Sequence, residues 1–237
     1  MEKLKNFLTQ HPKARILDVG TGRGNFIGLI DYLFKGYDKI VGIDIHGPSI
    51  NLAKKYFESN DSVEIINQNI NDEGLEFESF DIVCLSNSLH HLEDSEKTFR
   101  SMESLVKPGG YLLFNEMMKD NLNERQISHK LLHHFSAKID RANGEPHGDT
   151  FDRQEIVDVI KMYTSFEVID FWDMEVPKEE PTEEQTSQFA KTVDFLKDRI
   201  KNQELKDSLK EEAEAIKKYI LSNGVEGCTQ LLVLARK

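Results

Sequence analysis

Apolar positions along the first half of this chain fall into short runs at about residues 16–19, 39–44, 62–67, 80–86 and 105–114. These runs read as strands, and the stretches between them repeat apolar residues at helical spacing, predicting helices at about 25–35, 48–59 and 94–106. Pro48 suits the first turn of the second of these helices, where its missing N–H costs nothing. A leading helix over residues 2–10 carries Leu4, Phe7 and Leu8 on one side and is ended by Pro12. The regular alternation predicts an α/β protein with a mostly parallel, doubly wound, Rossmann-like sheet.

After the fifth run the alternation is interrupted twice. Residues 119–151 form an insertion, a polar helix-like stretch to Asp140 followed by a loop from Asn143 to Gly148. Asp152 and Glu155 have the spacing of a capping box and start a helix reaching about Met162. A sixth strand is predicted at 166–172 and a closing strand at 227–235. Between them lies a second insertion, residues 179–222, rich in Glu and Lys. Its apolar residues at 189, 193, 196 and 200, and again at 205, 209, 213, 216 and 220, make a stripe along helices. The five-residue step from Ile200 to Leu205 places a break between two helices. With 237 residues the chain is read as a single domain, 1–237, carrying both helical insertions.

The chemistry starts where the first strand ends. Ile-Leu-Asp-Val-Gly-Thr-Gly-Arg-Gly, from Ile16 to Gly24, runs a strand into a loop with glycine at every second position. Such a loop permits a tight strand-to-helix turn and lets a ligand touch backbone. An acid follows at the end of the second strand, Asp44, where it can accept hydrogen bonds from both hydroxyls of a ribose. A dinucleotide site wants a third glycine at position 25, and Asn25 stands there, which argues against a nicotinamide oxidoreductase.

The spacing D-x-G-x-G-x-G from Asp18 to Gly24 instead resembles motif I of the class I S-adenosylmethionine-dependent methyltransferases. The resemblance continues in order through Gln68 to Asp81, through Phe80-Asp-Ile-Val-Cys-Leu-Ser-Asn-Ser-Leu-His-His-Leu92, and through Leu105-Val-Lys-Pro-Gly-Gly-Tyr-Leu-Leu-Phe114, so that it covers roughly residues 14–116. It implies a seven-stranded sheet whose last strand inserts antiparallel between strands five and six. It also implies S-adenosyl-L-methionine as cofactor. Asp18, Gly20, Thr21, Gly22 and Gly24 would seat its methionine part and Asp44 its ribose, while Ile45 and Ile70 would flank adenine with Asn69 on its edge. Ser86 and Asn87 would lie near the methionyl amino group or the methyl. In similar methyltransferases the leading helix often folds over cofactor or substrate; the bland reading is a packing helix.

Composition limits the partners. Lys and Arg number 30 against 42 Asp and Glu, a formal charge of −12, which argues against binding nucleic acid. Cys84 and Cys228 suit buried residues in a reducing compartment better than a disulfide scaffold, no secretory leader is read at the N-terminus, and no apolar window approaches a membrane span. A cytoplasmic protein acting on a small molecule is expected, with the helical insertions as a homodimer surface.

Six of the eight histidines, His90, His91, His129, His133, His134 and His147, fall where they could face a substrate. His90 is the candidate general base, able to take the proton that an oxygen, nitrogen or thiol acceptor loses on methylation. His133, His134 and His147 are the candidate substrate-side residues, expected under the first insertion. His129 and His133, four apart on a helix, share a face as a metal pair would; without a defined third ligand the face is read as merely polar and no metal site is assigned, the alternative being that His147 or Glu116 completes a site for a metal or a metal-held substrate. The function expected is methyl transfer to a small-molecule acceptor; the alternative is a non-catalytic S-adenosylmethionine-binding regulatory protein of the same fold.

Overall fold

In the computed structural model, which describes residues 1–174 and 180–237, the apolar runs pair into one seven-stranded sheet. In chain order the elements are α1 (Glu2–Thr9), β1 (Arg15–Val19), α2 (Asn25–Leu33), β2 (Lys39–Asp44), α3 (Gly47–Tyr56), β3 (Val63–Asn67), β4 (Phe80–Ser86), α4 (Ser95–Leu105) and β5 (Val106–Met117). There follow α5 (Glu124–Ala142), α6 (Arg153–Tyr163), β6 (Glu167–Met174), α7 (Glu183–Asp198), α8 (Gln203–Ser208), α9 (Lys210–Asn223) and β7 (Gln230–Arg236). The strand order is β3-β2-β1-β4-β5-β7-β6. The pairings from β3 to β5 are parallel, and β7 runs antiparallel to both β5 and β6, the topology implied by the resemblance. The chain order therefore reverses direction across the sheet at β1 and β4, whose carboxyl ends form a crevice for ligand.

Period-two alternation sends side chains to opposite faces of the sheet, and each face has its own core. Leu17, Val19, Val83, Leu85 and Phe114 meet Phe99 and Met102 of α4 and Ile156 and Ile160 of α6 on one face. Ile16, Ile40, Ile82 and Leu113 meet α1, α2 and α3 on the other. Complete burial of each such side chain contributes ~1.5–3 kcal/mol, so the two faces fix the strand register. A one-residue slip of β1 would exchange Leu17 for Asp18.

The structure corrects several expectations. Leu4, Phe7 and Leu8 of α1 are buried in the second core, with Phe7 edge-on to Tyr111, so this helix packs against the sheet. β5 continues past Phe114 to Met117, which carries Glu116 into the sheet. The second insertion breaks after Asp198 as the five-residue step predicts, and again at Leu209, so it holds three helices; its predicted first residue, Glu179, lies outside the described residues. Phe189 is 40% exposed and Ala190 takes its place in the stripe, because the helix packs through the 190-193-196 edge.

The insertions build a third core of their own. Leu132, Phe135 and Ile139 of α5 pack with Ala190, Val193 and Leu196 of α7 and Ala213, Ile216 and Ile220 of α9. The first insertion leaves and rejoins the sheet at one place: Met118 pairs with Phe151, and the Lys119 N–H donates to the Phe151 carbonyl at 2.9 Å. α5 is started by a capping box of Asn123 and Gln126, and α6 by the predicted box of Asp152 and Glu155. These caps set where each helix begins, hence which α5 residues come back over the sheet edge. Among the described residues no helix is long and apolar enough to cross a membrane.

Candidate functional site

β1 delivers Asp18 and the glycine loop to the crevice. Asp18 is 1% exposed, and neither carboxylate oxygen finds a hydrogen-bond partner among the described residues. Burial pushes its carboxyl up to about 7, the adjacent Thr21 hydroxyl opposes the shift, and the neighbouring charge of Asp44 adds to it. Thr21 Oγ1 and Asn87 Oδ1 are likewise buried without partners among the described residues. Unpaired buried acceptors are costly, so this cluster is matched to a ligand that brings donors or positive charge.

The glycines have different jobs. A Cβ on Gly20 would lie 2.5 Å from Ser88 Oγ, because the loop and the end of β4 are pressed together; there the Ser88 hydroxyl donates to the Gly20 carbonyl at 3.1 Å. Gly24 packs against the Phe57 ring. Gly22 sits at φ +55° with nothing within 4 Å of where a Cβ would stand, so its side faces open space at the mouth of the loop. Its N–H donates to Asp44 Oδ2 at 2.8 Å, and the His46 N–H donates to Asp44 Oδ1 at 2.7 Å. Each Asp44 oxygen keeps a lone pair for a further donor, which fits a diol.

Ile45, next to Asp44, is 70% exposed, and Ile70 is half-buried. The Asn69 side-chain carbonyl accepts from the Asn71 N–H at 2.9 Å and retains a second lone pair. At the end of β4, Ser86 Oγ accepts from Asn115 Nδ2 at 2.9 Å, and Asn87 adopts φ +47° while its N–H donates to the Asn115 carbonyl at 2.7 Å. The sequence-predicted cofactor residues thus lie at or just beyond the carboxyl ends of β1, β2, β3 and β4, and their free polar atoms and apolar side chains fit a ligand with a cationic part, a ribose diol and a flat apolar ring.

On the other side of Ser88 the chain makes a single 3-10 turn, Leu89–His91. His90 is buried there, and its Nδ1 lies 3.0 Å from Glu116 Oε1. That carboxylate already accepts the Leu89 N–H at 3.0 Å and the Met117 N–H at 2.9 Å. With an acceptor on that side, Nδ1 carries the hydrogen and Nε2 keeps its lone pair. The Gly148 N–H donates to the His90 carbonyl at 2.5 Å, tying the loop of the first insertion to this turn. A Cβ on Gly148 would stand 3.1 Å from that oxygen, which is why the loop comes so close.

His133 from α5 and His147 from the loop close over His90. Ring centroids lie 4.8 Å apart for His90 and His133, 5.5 Å for His90 and His147, and 4.9 Å for His133 and His147. His147 Nδ1 is 2.7 Å from Asp140 Oδ2, and Asp140 Oδ1 accepts from Arg199 Nη2 at 2.7 Å. Burial, reinforced by the surrounding imidazoles, pushes His133 down to about 2 and His91 to about 4; burial also lowers His147 although Asp140 opposes it. His133 and His91 are therefore neutral near pH 7.

Two predicted histidines go elsewhere. His134 Nε2 lies 2.8 Å from Thr150 Oγ1, holding the returning segment to α5 outside the cluster. His129 Nδ1 accepts the Cys228 N–H at 3.2 Å, so the i, i+4 pair is divided between two neighbours. Cys84 and Cys228 are buried free thiols. The residues that sequence reading passed over are those that position others: Ser88, Asn115, Asp140 and Arg199. Only Asp140 carried a signal, being an acid seven positions before a histidine across a glycine-containing loop.

Residues 10–230 match the family described as methyltransferase domain. A highly reducing polyketide synthase of Alternaria alternata is 30% identical over 119 residues, 48% of this chain and 5% of that protein. A hybrid polyketide and nonribosomal peptide synthetase of Chaetomium globosum is 32% identical over 127 residues, 49% of this chain and 3% of that one. The chain thus spans a small fraction of the length of these curated relatives. Among solved structures, a Bacillus halodurans protein described as a methyltransferase superposes with a TM-score of 0.64 at 16% identity, covering 100% of this chain and 97% of that one. A phosphoethanolamine N-methyltransferase of Haemonchus contortus, solved with S-adenosylhomocysteine, gives 0.55 at 18% identity, covering 100% and 52%. At these identities the likeness is one of fold.

Proposed function

The chain belongs to the methyltransferase-domain family, and we propose that it moves a methyl group from S-adenosylmethionine to a small-molecule acceptor held beneath α5. The observation that carries this reading is the buried, unpartnered Asp18 carboxylate under a glycine loop whose Gly22 N–H is bonded to Asp44. When bound, the cofactor supplies a methyl group already activated by a positively charged sulfur. The chain's own work is then to hold donor and acceptor in line and to exclude water.

Asp18, Thr21 and Asn87 would receive the charged methionine end, Asp44 the ribose, and Ile45 and Ile70 the ring, with Asn69 on its edge. Ser86 and Asn87 sit where β4 turns towards His90. His90, His133 and His147 line the acceptor side, and the His90 Nε2 lone pair, its tautomer set by Glu116, is placed to take the acceptor's proton. The loop from Asn143 to Gly148 covers this side, since Gly148 is bonded to His90 itself.

The same reading extends to setting. Two buried free thiols and the net charge of −12 support a cytoplasmic protein that does not bind nucleic acid. Phe189, Phe195 and Leu221, exposed at 40%, 66% and 54% on α7 and α9, support a homodimer through the insertions.

Calorimetry with S-adenosylmethionine and with NAD tests the cofactor. Release of S-adenosylhomocysteine in the presence of pooled small metabolites tests the transfer. Binding of S-adenosylmethionine without turnover on any pool would favour a regulatory role, and absence of binding would overturn the reading.

A further inference from the structure

The acceptor side carries more than a base. Three imidazoles from three separate elements, His90 in the 3-10 turn, His133 on α5 and His147 in the loop, converge so that one ring nitrogen from each lies within 4.8 Å of the others. His133 Nε2 and His147 Nε2 are 3.4 Å apart. That is long for a hydrogen bond between ring nitrogens, for which about 3 Å is usual. It is instead the separation of two ligands on one tetrahedral ion: bonds of ~2.0–2.1 Å at the tetrahedral angle put two nitrogens ~3.3–3.4 Å apart.

The surroundings are also those of ligands. Glu116 holds His90 through Nδ1 and Asp140 holds His147 through Nδ1, each leaving Nε2 free to coordinate. Carboxylates behind histidines are how proteins fix the tautomer and ring angle of metal-bound imidazoles. Asp140 is itself anchored by Arg199 from beyond α7, so both insertions are built around this arrangement. His91, whose Nδ1 lies 3.4 Å from the Pro146 carbonyl, lies outside the set with its ring tilted 43° against that of His147.

We propose that His90, His133 and His147 form a binding site for one divalent transition-metal ion of the zinc class, with a fourth position open toward the methyl acceptor. Three imidazoles select zinc and its first-row neighbours over magnesium or calcium, which want oxygen ligands. An open fourth position suits an acceptor that coordinates through an oxygen or a thiol, because a bound cation eases loss of the proton from the coordinating atom. In that state the His90 lone pair holds the ion, the coordinating oxygen or thiol gives up its proton to solvent as it binds, and no histidine is needed as base. The inference rests on the methyltransferase reading only for what the fourth position receives.

The test is metal titration of chelator-treated protein with Zn²⁺ and Co²⁺, with S-adenosylmethionine binding followed in parallel by calorimetry. One equivalent should bind, and Co²⁺ should develop the visible absorption of tetrahedral coordination. His133→Ala and His147→Ala should each weaken metal binding at least on the order of tenfold while cofactor affinity stays within a few-fold. Asp140→Asn, acting through His147, should weaken it about 10–100-fold. Should an alanine variant fail to fold, His147→Gln, which keeps the side chain's bulk, takes its place. Failure of wild-type protein to take up one equivalent, or uptake unchanged in the His133 and His147 variants, would overturn the metal site. Loss of S-adenosylmethionine binding by wild-type protein would overturn the methyltransferase reading instead, whatever the metal does.

Discussion

The two halves of the candidate site keep most of their polar atoms in opposite states. Around the glycine loop, Asp18, Thr21 and Asn87 hold buried acceptors that the rest of the described chain leaves unpaired. Around His90 most polar groups are engaged with one another, His90 with Glu116 and His147 with Asp140, while His133 Nδ1 is buried without a partner among the described residues. The first half waits for a ligand that brings its own donors, whereas the second arranges lone pairs inward and backs them with carboxylates. A crevice of the first kind is costly until filled, and one of the second kind is rigid before anything arrives. Cofactor variants should therefore act mainly on binding, and acceptor-side variants mainly on turnover and metal.

The strongest attempt to break that division is Gly22→Val. A β-branched residue is strained at φ +55°, and its side chain would project into the open space where the loop meets ligand. Circular dichroism should show a folded protein, while S-adenosylmethionine binding should be abolished. Retained binding would make the loop a turn and nothing else.

Asp44→Ala is the next in size. With Asp44 read as the ribose acceptor, the substitution removes one or two charge-assisted bonds worth ~1.5–3 kcal/mol each and less than additive together, so affinity should drop on the order of tenfold to a thousandfold. The same change frees the Gly22 N–H from its 2.8 Å bond, which loosens the loop as well. Calorimetry on the folded variant decides the matter, and unchanged affinity would remove Asp44 from the site.

The two halves also differ in how far they can be read from residues alone. The cofactor half is carried by spacing within short segments, Asp18 to Gly24 or Ser86 to Asn87, because a strand, a tight turn and a helix start allow few alternatives. The structure supplies what spacing does not show, such as Ser88 pressed against Gly20 across two loops. The acceptor half depends on residues far apart in the chain, and a histidine on a helix face carries no sign of which neighbour it will meet. His129 and His133 shared a face as predicted, yet one meets Cys228 and the other meets His147. Likewise the apolar stripe in the second insertion was legible, but not the shift from Phe189 to Ala190, which depends on how α7 lies against α5 and α9.

Asp18 gives a stability measure of the same contrast. Its folded carboxyl is raised from 3.8 to about 7, so the folded protein without cofactor holds a proton that the unfolded chain releases earlier. Stability conferred by the neutral form is present below the ordinary carboxylate range and is lost as pH rises towards 7. Asp18→Asn keeps the shape and never ionises. At pH 8 it should stabilise the cofactor-free protein by on the order of 2–4 kcal/mol relative to wild type, with the difference vanishing near pH 4. Urea melts at the two pH values measure it, and a pH-independent difference would mean that burial is not the cause. The same variant should bind S-adenosylmethionine more weakly, since the charged methionine end loses its counterion.

The smallest effect belongs to His134→Ala, and it sharpens the boundary of the acceptor half. His134 neighbours His133 in sequence, but its Nε2 lies 2.8 Å from Thr150 Oγ1, on the side of α5 that holds the returning segment in place. Its removal deletes two partly buried hydrogen bonds, from the Thr150 hydroxyl and, at 3.4 Å, from the Thr150 N–H, a loss of ~1–2 kcal/mol in stability, visible as a modest fall in the denaturant midpoint. Metal uptake, cofactor affinity and turnover should all stay within a few-fold of wild type, because Glu116 and Asp140, which aim the converging rings, are untouched. A tenfold loss of turnover with unaltered metal uptake would show that Thr150 and the segment around it touch the acceptor. The acceptor half would then extend along α5 beyond the three convergent imidazoles.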